Sequence, residues 1–88
     1  MKIIALDYDD TYTADPGLWD AFIAMAKARG HMVVCVTFRR PDLPVGHDMG
    51  IEVFYTSGRQ KAEFMLEQDL LPSIWIDDLP HLIGKPVI

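Results

Sequence analysis

The sequence predicts an α/β fold: three layers, with a mostly parallel sheet of four strands and two main helices, forming one domain over residues 1–88. Three observations predict it. Short apolar runs alternate with longer stretches of helical spacing, the pattern of βαβ units joined by right-handed crossovers. The runs are apolar at successive positions, as strands covered on both faces require. Half of the residues are hydrophobic and only 24% are charged, which excludes a disordered chain, since disorder needs low hydrophobicity with high charge.

Ile3-Ile4-Ala5-Leu6 is the first run, and it ends on Asp7. Asp15 can cap a helix that begins at Pro16, where a missing backbone N–H costs nothing; Leu18, Trp19, Phe22, Ile23 and Ala26 recur on one face until Gly30. Met32 to Val36 is a second strand, closed by Thr37. Pro41, Pro44, Gly46 and Gly50 then make the segment Phe38 to Gly50 a loop. Ile51, Val53 and Tyr55 open the third strand. Ser57 and Gln60 have the spacing of a capping box, and Ala62, Met65, Leu66 and Leu70 carry a second helix on until it stops before Pro72. Ser73 to Ile76 is the fourth strand, ending on Asp77-Asp78, and Pro86-Val87-Ile88 is the candidate for a fifth, at the edge.

Eight basic and 13 acidic residues leave a net charge of −5, which argues against broad nucleic-acid binding, because backbone affinity comes from Lys and Arg displacing counterions. The single cysteine, Cys35, lies in an apolar run and packs as a small core residue, in keeping with a reducing compartment. No apolar run approaches the ~20 residues of a membrane-spanning helix, and Met1 to Leu6 reaches Asp7 too early for a signal peptide. A cytoplasmic location without membrane contact is expected.

Open parallel sheets bind ligands outside the carboxyl ends of their strands. Asp7, Asp9, Thr37, Asp77 and Asp78 all fall at those ends, and Lys61 lies near the start of a helix at the same rim. Four converging carboxylates must hold protons or share a cation. Oxygen-only donors at this density suit Mg²⁺, which takes one or two carboxylates and leaves room for phosphate oxygens. Thr37 offers a hydroxyl and Lys61 a positive charge, both suited to an anion. The set reads as metal plus phosphate.

Asp7-Tyr8-Asp9-Asp10-Thr11 after an apolar strand resembles the first motif, DxDxT, of the haloacid dehalogenase (HAD) superfamily of phosphohydrolases. In order, Thr37 resembles the second-motif Thr/Ser, Lys61 the third-motif lysine, and Ile74-Trp75-Ile76-Asp77-Asp78 the acidic fourth motif, so the resemblance spans residues 3 to 78. It implies a Rossmann-like core and a two-step phosphoryl transfer on a phosphomonoester such as a nucleotide, a nucleic-acid end or a phosphoprotein. Asp7 would be the nucleophile that becomes an aspartyl-phosphate, and Asp9 the general acid and base. Mg²⁺ would be held by Asp7, the backbone carbonyl of Asp9, and Asp78, with Asp77 in support. Thr37, the amide of Phe38, and Lys61 would bind phosphoryl oxygens, with Thr11, Arg39 and Arg59 as further substrate contacts.

Two departures stand out. Asp10 occupies a position that is usually Gly in the family, and only three residues separate Thr11 from Asp15 and five Tyr55 from Lys61, leaving no room for a cap domain. An open site accepts a large substrate or borrows a lid. With two helices, apolar sheet near the third strand should stay uncovered and favour a homo-oligomer. His31, His47 and His81 show no metal-ligand spacing and read as surface residues. The alternative is a non-catalytic module that keeps the fold and the metal site; presence of both Asp7 and Asp9 favours the enzyme. A phosphorylatable receiver domain carries its acidic pair and phosphorylated Asp in a different order.

Overall fold

In the computed structural model, residues 1–85 are described; the candidate edge strand at Pro86 to Ile88 lies outside them. The chain runs β1 (Ile3–Leu6), α1 (Pro16–Ala28), β2 (Met32–Thr37), β3 (Val53–Tyr55), α2 (Lys61–Glu67) and β4 (Ile74–Ile76), with 3₁₀ turns at Tyr12–Ala14 and Pro80–Leu82. The strands form one parallel sheet in the order β3-β2-β1-β4. The chain moves outward from β1 to β3 and then returns across β1 to β4. This reversal is what brings the ends of β1, β2 and β4 side by side.

Alternation along the strands sorts their side chains between two faces. Ile4, Leu6, Val33 and Cys35 pack with Ile23 and Ala26 of α1, while Ala5, Val34 and Val36 pack with Met65 of α2. Each helix therefore covers one face, giving the expected three layers. Burial pushes the Cys35 thiol up to about 12. The helix of α1 starts as its sequence predicts: the Asp15 carboxylate accepts from the Leu18 amide at 3.3 Å with Pro16 next in line, and Gly30 takes φ 83° beyond its end.

Four expectations need correction. The capping box at Ser57 does not form: Ser57 sits at φ 54° in a turn, α2 begins at Lys61, and its N-cap Gln60 makes no side-chain cap bond. The helix also ends at Glu67, because Asp69 turns left-handed at φ 58°, and β3 starts at Val53, two residues past Ile51. The sheet near β3 is not bare. Met49 is buried in the α1-side core, and Val45 and Ile51 pack against it, so the Phe38 to Gly50 loop takes the place of a helix. The loop is anchored by polar contacts as well. Tyr8 Oη hydrogen-bonds His47 Nδ1 at 2.6 Å and accepts from the Gly46 amide at 2.9 Å, and Lys27 donates to the carbonyl of Gly50. Among the described residues no helix is long and apolar enough to cross a membrane.

Candidate functional site

β1 is central, so Asp7 emerges between the ends of β2 and β4. Its amide continues the sheet, donating to the carbonyl of Ile76 at 2.9 Å. The carboxylate is held on both oxygens: Lys61 Nζ donates to Oδ1 at 2.8 Å and Thr11 Oγ1 to Oδ2 at 3.0 Å. Lys61 also donates to Asp77 Oδ2 at 2.6 Å. The side chain of Lys61 is 1% exposed, and those of its two acidic partners 9% and 5%. Burial raises Asp7 to about 6, against the opposing pull of the Lys61 hydrogen bond.

Asp77 is held further by the Leu79 amide on Oδ1 at 3.0 Å. Asp78 is exposed; its amide donates to Thr11 Oγ1 at 3.2 Å. One carboxylate oxygen each of Asp7, Asp77 and Asp78 lies within 4.8 Å of the other two. An all-oxygen donor set of this kind fits a hard divalent cation. Charge points the same way: Asp7, Asp9, Asp77 and Asp78 carry four negative charges, and Lys61 and Arg39 return two positive ones.

The outer side of the rim differs. Asp9 is bound bidentately by Arg39, Nε to Oδ2 at 2.9 Å and Nη2 to Oδ1 at 2.8 Å, and this contact holds the carboxyl below its usual value. Arg39 is itself fixed by the carbonyls of Leu43 and Pro44 and lies 5.1 Å from the centre of the Tyr8 ring. Thr37 is 1% exposed, and its hydroxyl accepts from the Arg39 amide at 3.2 Å. The Phe38 ring centre is 4.8 Å from Lys61 Nζ.

A cleft of about 100 Å³ joins these groups, lined by Asp7, Asp9, Asp10, Thr37, Phe38, Lys61, Asp77, Asp78 and Leu79. Seven of the residues singled out from sequence thus meet at one place. Thr11 lies behind the acids and positions them. Arg59 is turned away, paired with Glu67 and lying over the Phe64 ring. The carboxylate of Asp9 stands apart from the three-acid group, in the fork of Arg39.

Tyr8 escaped the sequence reading. Buried between Arg39 and the loop, it supports the guanidinium and anchors Gly46 and His47. Its signal is its place between Asp7 and Asp9, since a residue that alternates with two rim acids points back into the core. Asp10 takes φ 63°, a left-handed conformation in which Gly is favoured and Asp among the better-tolerated alternatives.

No family model, curated protein or solved structure matches the chain.

Proposed function

We propose that the chain is a Mg²⁺-dependent phosphohydrolase of the HAD type, cleaving a phosphomonoester through an aspartyl-phosphate on Asp7. The observation that carries this reading is the bracketing of one cleft-facing carboxylate, on the central strand, by a buried lysine and a buried threonine. Held this way, Asp7 is oriented for attack on phosphorus, and at neutral pH it is largely ionised. Lys61 and the Thr37 hydroxyl lie along the cleft, suited to receive phosphoryl oxygens and to oppose the charge they gain in the transition state. Asp9 lines the outer wall of the cleft, from where it would protonate the leaving oxygen. Mg²⁺ bound at Asp7, the backbone carbonyl of Asp9, and Asp78 would supply charge neutralisation for the phosphoryl group. Asp77, already engaged by Lys61 and the Leu79 amide, supports that set, while Asp78 is exposed and its carboxylate has, among the described residues, only the Thr11 hydroxyl at 3.3 Å as a partner.

One observation favours the second reading, a non-catalytic binding or assembly module that keeps the fold and the metal site. Asp9 is locked in the fork of Arg39 and held acidic, whereas a general acid must carry a proton. For catalysis Arg39 has to release Asp9 when substrate arrives, and its exposed position permits that exchange. The test is release of p-nitrophenol from p-nitrophenyl phosphate with Mg²⁺, with EDTA, and for Asp7→Asn. Loss of turnover in both controls is expected. A rate indifferent to EDTA or to Asp7→Asn refutes the mechanism, and absence of turnover across a panel of phosphomonoesters with phosphate binding intact selects the module.

A further inference from the structure

We infer that the substrate of this site is a phosphomonoester whose leaving group carries a flat aromatic ring, seated in a second cavity between Phe38 and the Pro80–Leu82 turn. The inference rests on the phosphohydrolase reading above. The cleft at Asp7 holds about 100 Å³, room for a transferred phosphoryl group and little else. Beside it lies a cavity of about 360 Å³ lined by Phe38, Gly58, Gln60, His81 and Leu82. Its size falls within the roughly 300–1,000 Å³ of small-ligand pockets. The two spaces share Phe38, and Gln60 of the second immediately precedes Lys61 of the first. A substrate whose phosphoryl oxygens rest at Thr37 and Lys61 therefore has this cavity next to it, across the Phe38 ring, for its leaving group.

The walls select the class of group. Phe38 and His81 are aromatic, Leu82 is an apolar side chain left 42% exposed, and Gln60 offers both an amide donor and an acceptor. Among the described residues no Lys, Arg, Asp or Glu lines the cavity, so a second phosphate or a carboxylate finds no side-chain charge among them to pair with. A ring can stack on Phe38, bury the exposed edge of Leu82 and hydrogen-bond Gln60. The far wall is held in place. The Ala62 amide donates to the carbonyl of Ile83 at 3.0 Å, and Gly84, at φ 81°, packs so close to Gln60 that a Cβ there would stand 2.7 Å from its Oε1.

Turnover and dissociation constants of phenyl phosphate, adenosine 5′-monophosphate and glycerol 3-phosphate, with inorganic phosphate as a ring-free ligand, test the inference on the full chain with Mg²⁺. Both ring esters should exceed glycerol 3-phosphate about 10-fold in kcat/KM, toward the low end of what aromatic stacking contributes. His81→Ala and Leu82→Ser should bring that ratio toward one and leave inhibition by inorganic phosphate unchanged. In dissociation constants, where leaving-group acidity plays no part, phenyl phosphate ahead of the nucleotide sets the ring directly on the ester oxygen; the reverse order sets a spacer between them. A ratio near one in the parent chain, or a ratio that survives both substitutions, overturns the inference. If nothing is turned over, the phosphohydrolase reading fails by itself, and calorimetric dissociation constants still decide the cavity: a ring preference lost in both variants upholds it, and no preference ends it.

Discussion

Two sets of ion pairs face the same cleft. On the inner side Lys61 joins Asp7 and Asp77, with all three side chains at most 9% exposed; on the outer side Arg39 joins Asp9, with the side chains 34% and 50% exposed. The inner groups have left water and depend on one another, because a buried charge without its partner bears the full desolvation cost. The outer groups remain hydrated, so their attraction is screened and they can exchange partners at little cost. Stability and chemistry are thus coupled on one side of the site and separable on the other.

The sharpest way to break that contrast is Lys61→Met, which keeps an unbranched side chain one atom shorter and removes its charge. Asp7 and Asp77 are then left buried side by side, and a loss of about 3–5 kcal/mol is expected, read as a lower midpoint in urea, with turnover abolished. A loss below about 1 kcal/mol would mean that Lys61 is no more than a surface cation. On the outer side, Asp9→Asn should leave the unfolding midpoint near that of the parent chain and lower kcat by about 10²–10⁴-fold. Equal damage to stability would show that the Arg39 pair is structural and would end the separation.

Between these in size comes the response to pH. Burial raises Asp7 to about 6 in the folded chain, from 3.8 in the unfolded one. The folded state then binds the extra proton between those values, so this group contributes stability that is complete below pH 3.8 and is lost as pH rises through about 6. Metal binding needs the ionised carboxylate and runs the opposite way. The rise in Tm given by Mg²⁺ over EDTA should accordingly be largest at neutral pH and fade as pH drops through about 6. A rise that does not change between pH 5 and 8 would place the ion away from Asp7.

The two sides also differ in how far their sequence reveals them. Asp7, Thr37, Asp77 and Asp78 were legible because each closes an apolar run, and topology alone sends the ends of parallel strands to one rim. The helix of α1 was legible from Asp15, Pro16 and Gly30, which act locally. The burial of Lys61 was not. A lysine at the start of a helix is ordinarily exposed, and this one is drawn inward by partners 54 and 16 residues away. The Phe38 to Gly50 loop was hidden for a related reason: Val45, Met49 and Ile51 follow no regular period, yet they cover the sheet beside β3. The Arg39 to Asp9 pair joins that loop to the turn after β1 across 30 residues, a contact that no spacing rule encodes.

The smallest effect expected lies between the two sides, at Asp10. Its φ of 63° is a conformation that costs an L-residue about 1–2 kcal/mol, less for Asp than for most. Its amide donates to Thr13 Oγ1 at 2.9 Å, a bond that any residue at this position can keep. Asp10→Gly removes the strain and one negative charge from the cleft, while the freer unfolded chain takes back about 0.4–1 kcal/mol. A net gain below about 1 kcal/mol is expected, together with weaker Mg²⁺ binding, because a cleft carboxylate that attracts the cation is lost. Asp10→Ala removes the same charge and leaves a Cβ in the left-handed region, so it should be the less stable of the two by about 1 kcal/mol. Urea midpoints for the pair separate backbone from charge: Ala below Gly assigns the difference to φ. Equal midpoints, with Mg²⁺ affinity lowered alike in both, would assign the whole effect of Asp10 to its carboxylate.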